Sequence, residues 1–219
     1  MKKRVPVIEN IMSANEDLAV NNRAILDEYG VLGINVMASP GAGKTSTILR
    51  TIERLQDEIT IGVIEGDTAA VTIDADKVAD LGMPAVQINT GGQCHLDAPM
   101  VASGLAQLPL EDIDLLIVEN VGNLVCPSAF ALGTHLNVVI ASVPEGDDKP
   151  YKYPGIYRGI DALILNKMDL LPYIDFDLEY FRRGIEILNP GVDFFPISCK
   201  TGEGMDSWGA WLKNRSIGL

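Results

Sequence analysis

Basic residues, cysteine, histidine and long apolar runs are all scarce in this sequence, and each scarcity narrows the range of functions. Lys and Arg total 17 against 30 Asp and Glu, a formal net charge of −13. A general nucleic-acid binder needs a basic surface to neutralise phosphates, so no nucleic-acid partner is expected. A nucleotide is still allowed, because a local nest of backbone N–H groups overrides the global field. No run is long and apolar enough to span a membrane. The basic start Met1-Lys2-Lys3-Arg4 has no long apolar segment behind it, so no signal peptide is expected. Three cysteines, an odd number without an export signal, point to a reducing, cytoplasmic setting. If two of them act together, metal binding is favoured over a disulfide.

What is present describes a globular α/β chain. Its 219 residues are 47% hydrophobic and 21% charged, enough for a real core. Short runs rich in Val, Ile and Leu predict strands at Val31 to Met37, Ile59 to Ile64, Ala85 to Ile88, Leu115 to Val118, Val138 to Val143, Ala162 to Leu165 and near Phe194 to Ile197. Helical stripes separate them, at Thr45 to Leu55, up to Leu81 with Asp74, Asp76 and Lys77 on a solvated face, from Pro99 to Leu105, from Leu178 to Leu188 and from Met205 to Lys213. Residues up to Gly30 read as a helical lead-in, with Ser13 and Glu16 as a capping box and Asn22 interrupting the apolar stripe. The alternation predicts an α/β chain with a mostly parallel central sheet covered on both faces by helices. No linker or repeat divides the chain, so residues 1–219 are expected to form a single domain.

The pattern centres on Ile34 to Thr47. An apolar run ends in Ala38-Ser39-Pro40-Gly41-Ala42-Gly43-Lys44-Thr45-Ser46, and a helix follows. This is the grammar of a phosphate loop, and with the parallel sheet it predicts the three-layer P-loop NTPase fold. Gly41, Ala42, Gly43 and Ser46 keep backbone N–H groups open to a triphosphate, and the helix turns its positive end toward it. Lys44 would reach the β and γ phosphates, and Thr45 would take one Mg²⁺ position. Ala38 stands where the strict pattern has Gly, which is acceptable if its φ is negative.

The remaining clusters all follow strand ends, where ligands bind in an open parallel sheet. Asn166-Lys167-Met168-Asp169 is an N-K-x-D pattern. Its Asp accepts hydrogen bonds from guanine N1–H and the exocyclic amine, whereas adenine leaves the carboxylate unsatisfied. Ser198-Cys199-Lys200 is expected to be a second base-contacting loop, with a helix N-cap as its alternative. Glu119 and Asp67 are candidates for the Mg²⁺ side of the nucleotide; for Asp67 a helix N-cap is the competing use.

Cys94-His95, with Cys126 further on, forms a second constellation. Thiolate and imidazole suit Ni²⁺ or Zn²⁺ and not Mg²⁺. Three ligands leave a tetrahedral site open, so a site shared across a homodimer is attractive; buried cysteines with a surface His are the alternative. His135 has no comparable setting. The segment Glu145 to Pro154 carries Lys149 and Lys152, either as a lid or contact to a partner's nucleotide, or as a proline-stiffened surface loop. Trp208 and Trp211 fit core packing.

The motifs A-S-P-G-A-G-K-T, E-G-D, T-G-G-Q-C-H-L-D-A, V-E-N-V-G-N-L-V-C-P, E-G-D-D-K-P-Y-K-Y-P, N-K-M-D-L-L-P and S-C-K-T-G-E-G occur in this order. Together they closely resemble the hydrogenase nickel-incorporation GTPases over nearly the whole chain. The resemblance implies slow GTP hydrolysis to GDP, Mg²⁺ dependence, GTP-promoted homodimerisation, and Ni²⁺ or Zn²⁺ at the subunit interface. It implies other hydrogenase maturation factors and the hydrogenase large subunit as partners. It puts Gly43, Lys44 and Thr45 on phosphates and Mg²⁺, and Asp67 and Glu119 on the metal side of the nucleotide. Asn166, Lys167 and Asp169 fall on guanine, and Cys94, His95 and Cys126 on the transition metal. The N-terminal cysteine cluster or His-rich tract of some relatives is missing, since Met1 to Gly30 holds no Cys or His. A urease-type accessory GTPase is a rival, but that family favours Cys-Pro-His. A P-loop small-molecule phosphotransferase is another, but no acceptor pocket or base is evident.

Overall fold

A computed structural model describes residues 11–68 and 73–216. Residues 1–10 of the expected helical lead-in lie outside the described residues. Helix α1 covers Ile11–Tyr29, so Ser13 sits inside the helix and does not cap it. Gly30 follows it with a φ of 67°, the left-handed conformation that stops a helix at little steric cost.

Seven strands form one parallel sheet: β1 Leu32–Ala38, β2 Ile61–Asp67, β3 Ala85–Asn89, β4 Leu115–Glu119, β5 Leu136–Ser142, β6 Ala162–Asn166 and β7 Asp193–Pro196. Their order is β3-β2-β4-β1-β5-β6-β7, and all pairings are parallel. Each predicted strand is present, and the fold is the expected P-loop architecture. Helices α2 Lys44–Leu55, α3 Ile73–Asp80, α4 Ala98–Leu105, α7 Leu178–Leu188 and α8 Met205–Ser216 complete the layers. The segment read as a loop before β6 contains two helical turns, α5 Lys149–Lys152 and α6 Pro154–Tyr157.

Alternate strand residues serve opposite faces. Leu115 and Ile117 join Ile48, Ile52, Val78 and Trp208 beneath α2, α3 and α8. Leu116 and Val118 join Leu26, Leu96 and Val101 beneath α1 and α4. Val139 and Leu163 pack with Ile156 and Phe181 on that second face. Trp208 is buried, as expected, and its ring N–H donates to Thr51 Oγ1 at 2.9 Å. Among the described residues no helix is long and apolar enough to cross a membrane. Because every strand runs the same way, Ala38, Asp67, Asn89, Glu119 and Asn166 all end at one edge.

Candidate functional site

At that edge β1 hands over to α2 through a loop that requires glycine. Gly41 has φ 76° and Gly43 φ 101°. A Cβ on Gly43 would lie 2.4 Å from Asn166 Nδ2, so a side chain is excluded on both counts. Ala38 is the buried last residue of β1 and has no positive φ, so its methyl group costs the loop nothing.

The Asn166-Lys167-Met168-Asp169 motif grips this loop from the other side. Asn166 Nδ2 donates to Ala42 O at 3.0 Å, and its Oδ1 accepts from Lys167 N at 2.7 Å and Cys199 N at 3.3 Å. Lys167 adopts a left-handed φ of 62° and its Nζ donates to Gly41 O at 2.6 Å. Ser198 Oγ donates to Asp169 Oδ1 at 2.7 Å, and Lys200 Nζ stands 4.0 Å from the same carboxylate. A cavity of about 590 Å³ opens between Gly43, Ser46, Asn166, Lys167, Asp169 and Lys200. Cys199 also lines it; burial pushes that thiol up, and it lies 3.4 Å from Thr47 Oγ1. The two motifs that the sequence separates by more than a hundred residues thus meet at one opening.

A second cavity of about 590 Å³ shares Gly43, Ser46 and Lys167 with the first and extends over Lys44 and Thr45. Four carboxylates line it: Glu65, Asp67, Asp74 and Glu119. Thr45 Oγ1 lies 3.0 Å from Glu119 Oε1 and 3.1 Å from Asp74 Oδ2. One hydroxyl proton cannot satisfy two carboxylates. Glu65 Oε2 is buried without a hydrogen-bond partner among the described residues. Burial first, then the neighbouring carboxylates, push Glu65 and Glu119 up to about 7, although Lys44 and Thr45 oppose this at Glu119. Such a surplus of hard oxygen ligands beside a phosphate loop fits Mg²⁺.

The nomination of Asp67 covers only part of this group. Asp67 lines the cavity, while its Oδ1 accepts from Thr68 N at 2.6 Å. Glu65, the deeper residue of the same E-G-D segment, and Asp74 were not singled out from the sequence. Period-2 alternation on β2 puts Glu65 and Asp67 on the same face, a signal that was available. For Asp74 the helical pattern pointed only to solvent. Glu145 is a further omission: it accepts from Ser39 Oγ of the phosphate loop, and from Ser142 Oγ at 2.8 Å. The Lys149 to Tyr153 segment packs on α7, with Tyr151 stacked on Tyr180 at 4.4 Å and its OH donating to Tyr180 O.

The third cluster lies beside the second. Cys94, His95 and Cys126 bring one ligand atom each within 4.8 Å of the others. Cys94 and His95 belong to the irregular segment between β3 and α4, where Asp97 caps α4 by accepting from Met100 N at 3.0 Å. Cys126 follows β4 and leads a single 3₁₀ turn, Pro127–Ala129. The His95 ring stacks on Phe130, centroids 3.9 Å apart, and burial lowers its pKa. It therefore favours the neutral imidazole a metal needs. The Cys126 thiol alongside Cys94 pushes the Cys94 thiol up, since two sulfurs compete for protons that a divalent cation would replace. All three cysteines are free thiols. His135 is structural: Nδ1 accepts from Gly33 N at 2.9 Å and Nε2 faces Asp27 Oδ1 at 2.8 Å.

Comparison with known proteins shows the family. Residues 33–196 match the CobW/HypB/UreG nucleotide-binding domain. The hydrogenase maturation factor HypB of Escherichia coli (strain K12) is 43% identical over 214 residues, covering 98% of this chain and 73% of that protein. The crystal structure of hydrogenase maturation factor HypB from Archaeoglobus fulgidus superposes with a TM-score of 0.87 at 39% identity, covering 93% of this chain and 99% of the other. That of HypB from Helicobacter pylori, determined in complex with nickel, gives 0.88 at 36% identity over 93% and 95% of the two chains. With the phosphate loop, the base-reading loop and the Cys/His cluster gathered on one sheet edge, the chain belongs to the CobW/HypB/UreG family of P-loop GTPases and, within it, to the hydrogenase maturation factors of the HypB type.

Proposed function

We propose that this chain is a GTP-hydrolysing metallochaperone that couples nucleotide-dependent dimerisation to the binding and delivery of nickel, or zinc, during [NiFe]-hydrogenase maturation. The observation that carries the reading is the shared loop after β4. It begins at Glu119, beside Thr45, and reaches Cys126 in the Cys/His cluster. One short segment therefore joins the phosphate-side cavity to the Cys/His cluster.

In this reading Gly41 to Ser46 present backbone N–H groups to the phosphates, with Lys44 on the β and γ groups. Thr45 and Glu119 would hold Mg²⁺, with Asp67, Glu65 and Asp74 lining the same cavity as further carboxylates for the ion or its waters. When bound, Mg²⁺ supplies charge neutralisation at the phosphates. Asn166, Lys167 and Asp169 read guanine, and Ser198, Cys199 and Lys200 close the base cavity. Among the described residues no arginine lines the phosphate cavity, which supports slow intrinsic hydrolysis. Cys94, His95 and Cys126 take the metal cargo, and a second protomer completes the coordination. The protein works as a single cytoplasmic domain, handing metal to other maturation factors or to the hydrogenase large subunit.

The test is a Ni²⁺ titration with and without a non-hydrolysable GTP analogue and Mg²⁺, read together with oligomeric mass. The expected result is a monomer-to-dimer shift and a changed Ni²⁺ affinity on adding nucleotide. Constant mass and constant affinity would overturn the switch.

A further inference from the structure

Asn120 and Asn123 occupy the loop Glu119-Asn120-Val121-Gly122-Asn123, and their backbones ride on the strand that feeds the phosphate loop. Asn120 N donates to Val36 O at 3.0 Å and Asn123 N to Ala38 O at 2.8 Å. A Cβ on Gly122 would stand 3.1 Å from Pro40, so the turn lies against the phosphate loop itself. The side chains reach the metal-side segments, and Asn120 also reaches back to β1. Asn120 is fully buried; its Oδ1 accepts from Leu96 N at 3.0 Å, and its Nδ2 donates to Asn35 Oδ1 at 3.1 Å. Asn35 in turn donates to Asn137 Oδ1 at 3.1 Å. Asn123 Nδ2 donates to Cys94 O at 3.3 Å, and its Oδ1 accepts from Val125 N at 2.9 Å in the approach to Cys126.

These bonds fall on either side of His95. The far ends of both metal-bearing segments are fastened elsewhere, to α1. Asn15 Oδ1 accepts from Ala98 N at 2.8 Å and its Nδ2 donates to Ala131 O at 2.8 Å. Asn22 Nδ2 donates to Ala98 O at 2.9 Å and to Leu132 O at 3.0 Å. The Cys94–His95 arm is thus held between a helix remote from the nucleotide and a loop that touches the phosphate loop. The Leu96–Asn120 contact is buried, so breaking it leaves the Leu96 N–H unsatisfied, while the Asn123–Cys94 contact lies at the surface and adds a second tie on the other side of His95.

We infer that Asn120 and Asn123 are positioning residues that transmit the nucleotide state to the metal site, while Asn15 and Asn22 fix the site without reading the nucleotide. The inference rests on the metallochaperone reading above. Displacement of the Glu119 loop drags Cys94 and His95 through two hydrogen bonds and Cys126 through the chain.

The experiment measures Ni²⁺ affinity of the full chain with and without saturating GTP analogue and Mg²⁺, and follows the thiolate-to-nickel charge-transfer band. In the wild-type protein the two affinities should differ about fivefold or more, the lower end of ordinary coupling between sites. Asn123→Ala, at a half-exposed position, should bring that ratio within about twofold and leave the band unchanged by nucleotide. Asn120→Ser should do the same; if it does not fold, Asn123→Ala alone carries the test. Asn22→Ala should change both affinities alike and keep the wild-type ratio. If Asn123→Ala keeps the wild-type ratio, or Asn22→Ala loses it, this inference falls and the switch reading stands. A wild-type ratio of one overturns both.

Discussion

Glu65 and Glu119 are direct partners in the parallel register of β2 and β4, so both carboxylates enter the same cavity beside Thr45. Neither is balanced by an equal supply of donors. Burial leads the rise of each to about 7.

For Glu119 the folded state retains its proton to higher pH than the unfolded chain does. Without divalent cations the wild-type protein therefore loses stability as pH rises from the ordinary carboxylate range to about 7, and the loss is complete above that. Glu119→Gln lacks the Glu119 share of this dependence and keeps that of Glu65. Its melting temperature should exceed the wild-type value by at least about 2 °C at pH 8, with the gap closing near pH 4 to 5. Added Mg²⁺ should narrow the gap at pH 8. Calorimetry at several pH values checks this, and a gap independent of pH would remove the assigned cause.

The Asp169 carboxylate sits in the cavity beside Gly43 and Ser46, with Ser198 Oγ on one oxygen. GTP should bind roughly tenfold or more tightly than ATP, because adenine leaves the carboxylate unpaired. Asp169→Asn should shift the preference toward a xanthine nucleotide. Competition binding measures both, and equal affinity for ATP would sink the guanine assignment.

Two thiols and one imidazole are too few to close a tetrahedral site within one chain. Light scattering should show the mass move from monomer toward dimer when GTP analogue and Mg²⁺ are added. GDP should leave it closer to the monomer.

Cys94→Ala and Cys126→Ala should each weaken Ni²⁺ binding by at least about tenfold while sparing GTP. Phe130→Ala removes the ring stacked on His95 and should weaken Ni²⁺ by up to about tenfold through loss of orientation. Titration followed by charge-transfer absorbance gives these values. Wild-type affinity in both cysteine variants would reduce the cluster to packing.

Much of this was legible in the sequence. Strand periodicity located all seven strands to within a few residues, and the phosphate and base motifs were identified at the positions that line the two connected cavities. The misses share one cause. Asp74 read as part of a solvated helical face, because periodicity reports exposure around the helix axis and says nothing of what the helix N-terminus abuts. Asn22 read as an interruption of an apolar stripe, yet it is buried and spans two backbone carbonyls from distant segments. Lys149 to Tyr157 read as a loop, and packing on α7 folds it into two turns.

The sequence alone determined the local chemistry: glycines where φ is positive, an Asp in an N-K-x-D pattern, two thiols and an imidazole, and strands ending where those groups begin. Only the tertiary structure decided which of them meet. Strand order puts β4 between β1 and β2, register aligns Glu65 with Glu119, and buried asparagines bind loops far apart in the chain. Those choices arise from long-range packing and hydrogen bonding, where burial penalises every unpaired polar group, and no local pattern encodes them.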